Sequence, residues 1–149
     1  MRRSSLNSLR KLINQIDYTD IQHLKRVVWS NKYTHVALLC RRTVYILNKN
    51  FNLLTSINEQ FKVSSAVWNT DGVLLYTTKT HLKYALVNGD QGIIKSLETP
   101  IYLIQANGNE VIAIDPEARF QKFSIDREEY LFKLAIRSRN AAKIEACLK

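Results

Sequence analysis

The feature that most restricts the fold of this chain is an internal repeat with a period of about forty residues. Val27-Val28-Trp29-Ser30 returns as Ala66-Val67-Trp68-Asn69, so the two tryptophans stand 39 residues apart. Farther along, Leu53-Leu54-Thr55-Ser56-Ile57 matches Ile93-Ile94-Lys95-Ser96-Leu97 position for position, at a spacing of 40. Because self-similarity at a fixed period marks one structural unit per repeat, we expect successive copies of a single unit.

Each copy contains four short apolar runs separated by polar turns. Between its anchors the first copy has runs at 36–40 and 43–47, and the second has runs at 73–78 and 82–87. These runs are rich in Val, Ile, Leu, Tyr and Thr, which favour strands. A period of about 40–45 residues with four strands is typical of β-propeller blades, because one four-stranded sheet cannot bury both faces alone and stacked blades can.

A third, weaker copy predicts a degenerate blade, with runs at 101–104, 111–114 and 120–125 and no tryptophan. Trp29 and Trp68 are expected to fill the core between blades, the usual place of a large aromatic in this pattern. A closed ring usually takes about four to eight blades. We therefore expect these two to three blades to belong to a longer chain or to complete a partner's propeller, and to fold poorly when isolated.

The strand pattern stops at Asp126, which predicts a helix N-cap with Glu129 three residues later. Apolar residues then recur at helical spacing, and Asn140 is predicted to break the chain into a pair of helices. Such a pair is typical of the start of an α-solenoid. The predicted fold is therefore mainly β with a C-terminal α segment: a basic stretch over 1–24, partial WD40-like blades over 25–125, and a solenoid start over 126–149.

The first two dozen residues are basic, serine-rich and free of acids as far as Asp17. Apolar residues recur there at spacings of three and four, at Leu6, Leu9, Leu12, Ile13 and Ile16. This pattern fits an organellar transit peptide, a short amphipathic helix, or sequence at the boundary of a truncated chain.

The net charge of +9 raises the possibility of a nucleic-acid partner. The positive residues are mostly spread along the chain, and only Arg2, Arg3, Arg10 and Lys11 form a block without acids. Charge placed in this way favours solvated faces, with a general preference for anionic surfaces that include lipid headgroups. We therefore expect no nucleic-acid partner.

The residue pattern predicts neither a catalytic site nor a metal or cofactor site. Cys40 and Cys147 are 107 residues apart, and the three histidines, His23, His35 and His81, are scattered, so neither a zinc site nor a disulfide framework is indicated. The close acidic pairs, Asp115 with Glu117 and Glu128 with Glu129, fall at a turn and at a helix cap. We expect a non-enzymatic protein with no small-molecule substrate.

Several strings of the chain carry a resemblance to a known family: Arg26-Val27-Val28-Trp29-Ser30, Val36-Ala37-Leu38-Leu39, Ala66-Val67-Trp68, Tyr76-Thr77-Thr78, His81-Leu82-Lys83-Tyr84, Gly89-Asp90-Gln91-Gly92-Ile93-Ile94, Pro100-Ile101-Tyr102 and Glu129-Tyr130-Leu131-Phe132-Lys133-Leu134-Ala135. They resemble the coatomer alpha subunits of the COPI vesicle coat, at the end of the second propeller and the start of the solenoid. The family usually has an acid after the second tryptophan, where this chain has Asn69.

The resemblance implies a structural role in coating Golgi-derived vesicles that return cargo to the endoplasmic reticulum. It implies partners among the coatomer subunits, beta-prime first and epsilon through the far C-terminal part of the family's chains. It also implies a cytoplasmic protein that is peripheral on Golgi membranes and COPI vesicles. Dilysine cargo tails are recognised by the family's first propeller, so no cargo-binding residue carries over.

Two other functions remain open at this stage. The chain could serve as a binding module of another scaffold built from a propeller and a solenoid, such as the beta-prime subunit or intraflagellar-transport proteins. A basic nucleic-acid-binding protein would require the Lys and Arg side chains to converge on one face.

Overall fold

The computed structural model describes residues 22–148, with side chains described as far as residue 139, and this part of the chain forms three antiparallel sheets followed by a helix. Blade 1 has the strand order β1 (Arg26–Trp29), β2 (His35–Leu39), β3 (Thr43–Asn48) and β4 (Leu53–Asn58). Blade 2 has β5 (Ser65–Trp68), β6 (Leu74–Thr77), β7 (His81–Ala85) and β8 (Gln91–Ser96). Blade 3 has three strands, β9 (Tyr102–Asn107), β10 (Glu110–Ile114) and β11 (Phe120–Ser124), and the helix is α1 (Glu128–Leu148).

The strands of each blade follow one another as a meander, and the strands predicted from the repeat are confirmed. The first strands of the blades lie side by side, with β5 between β1 and β9. The turn between β5 and β6 shows why the chain reverses direction at this position. Gly72 donates its backbone N–H to the carbonyl of Asn69 at 3.0 Å and has a φ of +84°, a conformation that suits glycine.

Blade 2 has both of its faces covered. Its side chains alternate between two separate cores, one against blade 1 and one against blade 3. Trp68, Leu74 and Tyr76 are buried in the core against blade 1, whereas Val67 and Leu75 are buried in the core against blade 3. Every residue of β5 and β6 is therefore buried, as expected of a strand between two packed neighbours.

Trp68 confirms the predicted core position for one of the two tryptophans. Its side chain is 3% exposed, and its indole Nε1 donates a hydrogen bond to the backbone carbonyl of Val28 at 2.9 Å. The indole ring also lies 6.0 Å from the His35 ring of blade 1. This tryptophan therefore joins blade 2 to blade 1 both by packing and by a polar contact.

The prediction of a core position is wrong for Trp29 within the described residues, because its side chain is 38% exposed. On β1 the neighbouring Val28 faces blade 2, so the alternation of the strand turns Trp29 away from it. On that side Trp29 contacts the rings of Tyr33 and Phe51, at centroid distances of 6.3 and 6.0 Å. No sheet among residues 22–148 covers this face of blade 1.

Blade 3 confirms the predicted degenerate copy, and buried hydroxyl groups join it to blade 2. Ser65 and Thr77 share a hydrogen bond of 2.6 Å between their side-chain oxygens. Ser65 Oγ also accepts the backbone N–H of Leu103 at 3.0 Å, and Thr77 Oγ1 donates to the carbonyl of Ile101 at 3.3 Å. These polar atoms are therefore satisfied across the blade boundary, which is what burial of a hydroxyl requires.

The N-cap predicted for α1 is confirmed. The Asp126 side chain accepts the backbone N–H of Glu128 at 2.9 Å, the usual N-cap contact. Glu128 and Glu129 occupy the first turn, where negative charge interacts favourably with the helix dipole.

The predicted pair of helices is wrong, because one helix runs to Leu148 without a break at Asn140. The next two residues are alanines, the strongest helix formers, and no Gly or Pro occurs between 128 and 148. An asparagine inside a helix costs less than about 1 kcal/mol relative to alanine. That cost is too small to end a helix that no neighbouring residue interrupts.

We expect Trp68→Phe to destabilise the chain by about 1–3 kcal/mol, because it leaves the half-buried Val28 carbonyl without its donor and leaves a cavity beside it. Trp29→Phe is the matched control, with an expected change of about 0.5 kcal/mol or less at this exposed position. Urea unfolding followed by far-ultraviolet circular dichroism measures both. Equal losses for the two variants would contradict the assignment of Trp68 as the residue that joins blades 1 and 2.

Asp115 makes the stability of blade 3 dependent on pH. Its carboxylate lies in the turn between β10 and β11 and accepts the backbone N–H groups of Glu117 and Arg119, at 3.0 and 2.9 Å. The hydrogen bond from the Arg119 backbone and those from the Gln121 and Arg119 side chains hold the pKa of Asp115 below its ordinary value. A carboxyl whose pKa is lower in the folded state stabilises the protein above its unfolded pKa.

We therefore expect Asp115→Asn to lower the thermal midpoint at neutral pH. The difference from the parent should shrink as the pH falls below about 4, through the folded-state pKa, because the parent carboxyl then becomes protonated as well. Thermal unfolding across a pH series measures this difference. Glu98→Gln removes an exposed carboxylate between blades 2 and 3 and should change the midpoint little. A constant gap between Asp115→Asn and the parent at every pH would rule out the carboxylate's role.

Candidate functional site at the junction of the blades and the helix

The residues considered for chemistry in the sequence lie apart in the structure. His35 is on blade 1 and His81 on blade 2, and Cys40 is buried in blade 1. Among the side chains that the structure describes, residues 22–139, no three His, Cys, Asp or Glu converge as metal ligands would. The Asp115 carboxylate is engaged by its own turn. Cys147 lies outside the residues whose side chains the structure describes.

Instead, polar side chains converge where blade 2, blade 3 and α1 meet, and Asn69 is at the centre of this junction. Its amide Nδ2 donates to the carbonyl of Gly108 at 2.8 Å and to the hydroxyl of Tyr130 at 3.0 Å. Its Oδ1 accepts the backbone N–H of Gly108 at 2.8 Å and that of Thr70 at 2.7 Å. The amide therefore uses both donors and its acceptor, and links two blades to the helix.

Asp71, two residues farther along the same turn, binds α1 directly. Its Oδ2 accepts the hydroxyl of Tyr130 at 2.7 Å and the guanidinium Nη1 of Arg127 at 2.9 Å. Arg127 in turn donates through Nε to the side chain of Asn109, in the turn that joins β9 to β10. Residues from blade 2, blade 3 and the start of α1 are thus joined in one hydrogen-bonded group.

The same junction has an apolar half. The Tyr130 side chain is 1% exposed and belongs to the core between blades 2 and 3. Its ring lies 5.3 Å from the ring of Tyr84 on β7, and the Lys133 ammonium lies 5.3 Å from the Tyr84 ring centroid. Leu134, one turn along the helix, packs against the same core. The first turns of α1 are therefore held by burial as well as by hydrogen bonds.

The electrostatics of the junction favour a neutral tyrosine beside a charged pair. Burial, and then the hydrogen bond to Asp71, raise the pKa of Tyr130. The hydrogen bond to Asp71 also raises the pKa of Arg127, which keeps the guanidinium charged. Neither pKa is moved toward neutral pH, where a group would be useful for acid–base catalysis. The arrangement is therefore suited to fixing α1 on the blades.

Sequence reasoning did not find this junction. In the sequence, Asn69 is a departure from the family pattern, and Tyr130 is one residue of the string Glu129 to Ala135 that resembles the family. Their contact joins residues 61 positions apart, and the contact of Tyr130 with Asp71 joins residues 59 apart. The signal in the sequence was weak: a polar turn, Asn69-Thr70-Asp71-Gly72, and a tyrosine whose hydroxyl needs a partner when buried.

Comparison with solved structures defines the class of fold. KlHsv2 with loop 6CD replaced by a Gly-Ser linker superposes with a TM-score of 0.54, over 69% of this chain and 40% of that one, at 15% identity. The computationally designed Ika4 protein gives a TM-score of 0.53, over 69% of this chain and 66% of that one, at 11% identity. At such identities the likeness concerns the fold alone. The sheets are part of a WD40-like β-propeller, which confirms the predicted fold class.

A family model described as the COPA/B second beta-propeller matches residues 8–115. The chain therefore belongs to this family, and the resemblance seen in the sequence is confirmed.

Curated relatives agree with the family assignment. The putative coatomer subunit alpha of Schizosaccharomyces pombe is 52% identical over 113 residues, which cover 76% of this chain and 9% of the relative. Coatomer subunit alpha-2 of Arabidopsis thaliana is 41% identical over 113 residues, again 76% of this chain and 9% of the relative. Coatomer subunit alpha of Saccharomyces cerevisiae is 35% identical over 129 residues, 87% of this chain and 11% of the relative. The chain thus spans about a tenth of the length of these relatives.

Within the part of the chain that the structure describes, no helix is both long enough and apolar enough to cross a membrane.

We expect Tyr130→Phe to destabilise the chain by about 1–2 kcal/mol, because it removes the hydroxyl that donates to Asp71 and accepts from Asn69 inside the junction. Hydrogen exchange of the first α1 amides should become faster than in the parent. Tyr102→Phe, at a half-exposed position on β9, is the matched control and should change stability by about 0.5 kcal/mol or less. Unchanged α1 exchange in Tyr130→Phe would show that the hydrogen bonds do not hold the helix.

Proposed function

We propose that this chain is a structural, non-enzymatic part of the COPI vesicle coat and acts in transport between the Golgi and the endoplasmic reticulum. The observation that carries the proposal is the match of residues 8–115 to the COPA/B second beta-propeller. The relatives that share this segment are coatomer alpha subunits. The assignment to the vesicle coat comes from the names of these relatives, whereas the transport step is part of the proposal.

The structure supports a mechanical role for the chain. Packed blades resist deformation because their cores are dense and interlocked. The junction of Asn69, Asp71, Arg127 and Tyr130 fixes the direction in which α1 leaves the blades. We propose that α1 begins an α-solenoid arm and that the blades are the rigid block from which the arm extends.

The exposed side of α1 offers a surface on which that arm can continue. Phe132 and Ile136 are exposed and lie four residues apart, hence on one side of the helix. Exposed apolar rows of this kind are usually covered by a packed neighbour. We propose that further solenoid helices or another coatomer subunit cover this row.

Other coatomer subunits are the proposed partners, beta-prime first, with epsilon bound through the far C-terminal part of the family's chains. The proposed location is the cytoplasm, peripheral on Golgi membranes and COPI vesicles. Among scaffolds built from a propeller and a solenoid, the identity to alpha subunits favours coatomer over the others.

Affinity purification of the chain, tagged at its native locus, tests the proposal. We expect other coatomer subunits to be recovered with the bait and identified by mass spectrometry. Phe132→Ser should lower their recovery severalfold, because it disrupts the exposed row of α1. Phe120→Ser removes a more exposed phenylalanine from β11 and is the matched control, with recovery unchanged. Recovery of an intact bait without any coatomer subunit would contradict the proposed function.

A further inference from the structure

Positive side chains from separate parts of the sequence converge at one corner of blade 1. The Lys25 backbone N–H donates to the carbonyl of Leu39 at 2.8 Å, which places Lys25 beside the turn between β2 and β3. That turn contains Arg41 and Arg42. The carbonyl of Arg41 accepts the backbone N–H of Val63 at 3.0 Å, and the carbonyl of Arg42 accepts that of Glu59 at 2.8 Å. Val63 and Glu59 belong to the connection between β4 and β5, which also contains Lys62. We call the exposed residues of this site the basic corner: Lys25, Arg41, Arg42, Phe61 and Lys62.

The positive charge of Lys25 lies close enough to those of Lys62 and Arg41 to be repelled by them. Burial, and then the neighbouring ammonium of Lys62 and the guanidinium of Arg41, lower the pKa of Lys25. Among the described residues, none of its four cations forms a salt bridge. The corner is thus a concentration of positive charge that the described part of the chain leaves uncompensated.

The nearby acid is neutralised in a way that also fixes the corner. Glu59, at the start of the connection between β4 and β5, forms a salt bridge of 2.6 Å with Lys83 of blade 2. The same carboxylate accepts the hydroxyl of Tyr76 at 2.6 Å. Val63, four residues after Glu59, is fully buried. The segment between Glu59 and Val63 is therefore anchored at both ends.

The tip of this anchored segment presents an aromatic side chain to solvent. Phe61 is 57% exposed and is followed directly by Lys62. An exposed phenylalanine among cations is the combination that suits a lipid interface, where the ring enters the boundary region and the charges meet anionic headgroups.

We infer that the basic corner binds the surface of an anionic lipid bilayer. The inference extends the proposed function, since a coat protein must lie on a membrane, and it names the surface that makes the contact. The shape of the site favours a membrane over a nucleic acid. The corner consists of turns at the end of a blade with one exposed aromatic, whereas single-stranded nucleic acids are usually held along a groove by several stacked aromatics.

Vesicle co-sedimentation of the purified chain tests the inference. The probes are phosphatidylcholine vesicles with about one third phosphatidylserine, and vesicles of phosphatidylcholine alone. We expect binding to the anionic vesicles to be at least about tenfold tighter and to weaken with added salt. The double variant Arg41→Gln, Lys62→Gln should weaken that binding roughly 30-fold, since each cation near the surface contributes about fivefold and the two factors multiply.

A matched control removes the same charge from the opposite end of blade 1. Lys32 and Lys49 are exposed and lie in the turns after β1 and β3, away from the basic corner. Lys32→Gln, Lys49→Gln should bind anionic vesicles within about twofold of the parent, the expectation for charges held away from the surface. Phe61→Ser tests the aromatic contact and should weaken binding severalfold at a salt concentration that screens the cations.

Equal loss of binding in the two double variants would overturn the inference, because net charge alone would then explain it. Binding of single-stranded RNA that is lost in Arg41→Gln, Lys62→Gln while vesicle binding stays unchanged would also overturn it, in favour of a nucleic-acid site. The assay contains no coatomer subunit. Failure here therefore leaves the result of the affinity purification untouched, and failure of that purification leaves this result untouched.

Discussion

The burial of both faces of blade 2 is the constraint on which the rest of the structure depends. A sheet with apolar side chains on both sides is stable in water only between two neighbours, and blades 1 and 3 supply them. Trp68 completes one boundary, and the hydroxyl of Ser65 satisfies polar groups at the other. Tyr130 enters the second core, so the position of α1 follows from the same requirement.

The sequence was most informative where structure is local and repeated. Strand positions follow from short apolar runs and turns, and a period near forty residues is enough to predict the blades. Burial was harder to predict, because it depends on the neighbour that a side chain meets. Trp29 and Trp68 have the same local pattern, yet only Trp68 faces a described blade. At Asn140 the local signal itself was misleading. The asparagine predicted a helix end, but the helix continues because strong helix formers follow it.

Long-range polar contacts could not be read from the sequence. The partners of Tyr130 in the junction lie about sixty residues earlier in the chain, and no periodicity links them. The same holds for the basic corner. Lys25, Arg41 and Lys62 looked diffuse because strands separate them in sequence, whereas backbone hydrogen bonds between their segments bring them to one place. The spacing of cations along a sequence therefore underestimates the local density of positive charge, because the turns of a meander bring distant residues together at one end of a sheet.

The junction and the basic corner lie at opposite ends of the blades, and the topology requires this. Successive turns of an antiparallel meander alternate between the two ends of the sheet. The turns that meet α1 follow the first strands of blades 2 and 3, whereas the Arg41 turn follows the second strand of blade 1. A surface bound at the basic corner therefore does not compete with a partner bound along α1. The proposed scaffold, which would rest on one surface and extend an arm to its partners, requires this separation, and the alternation of the turns provides it.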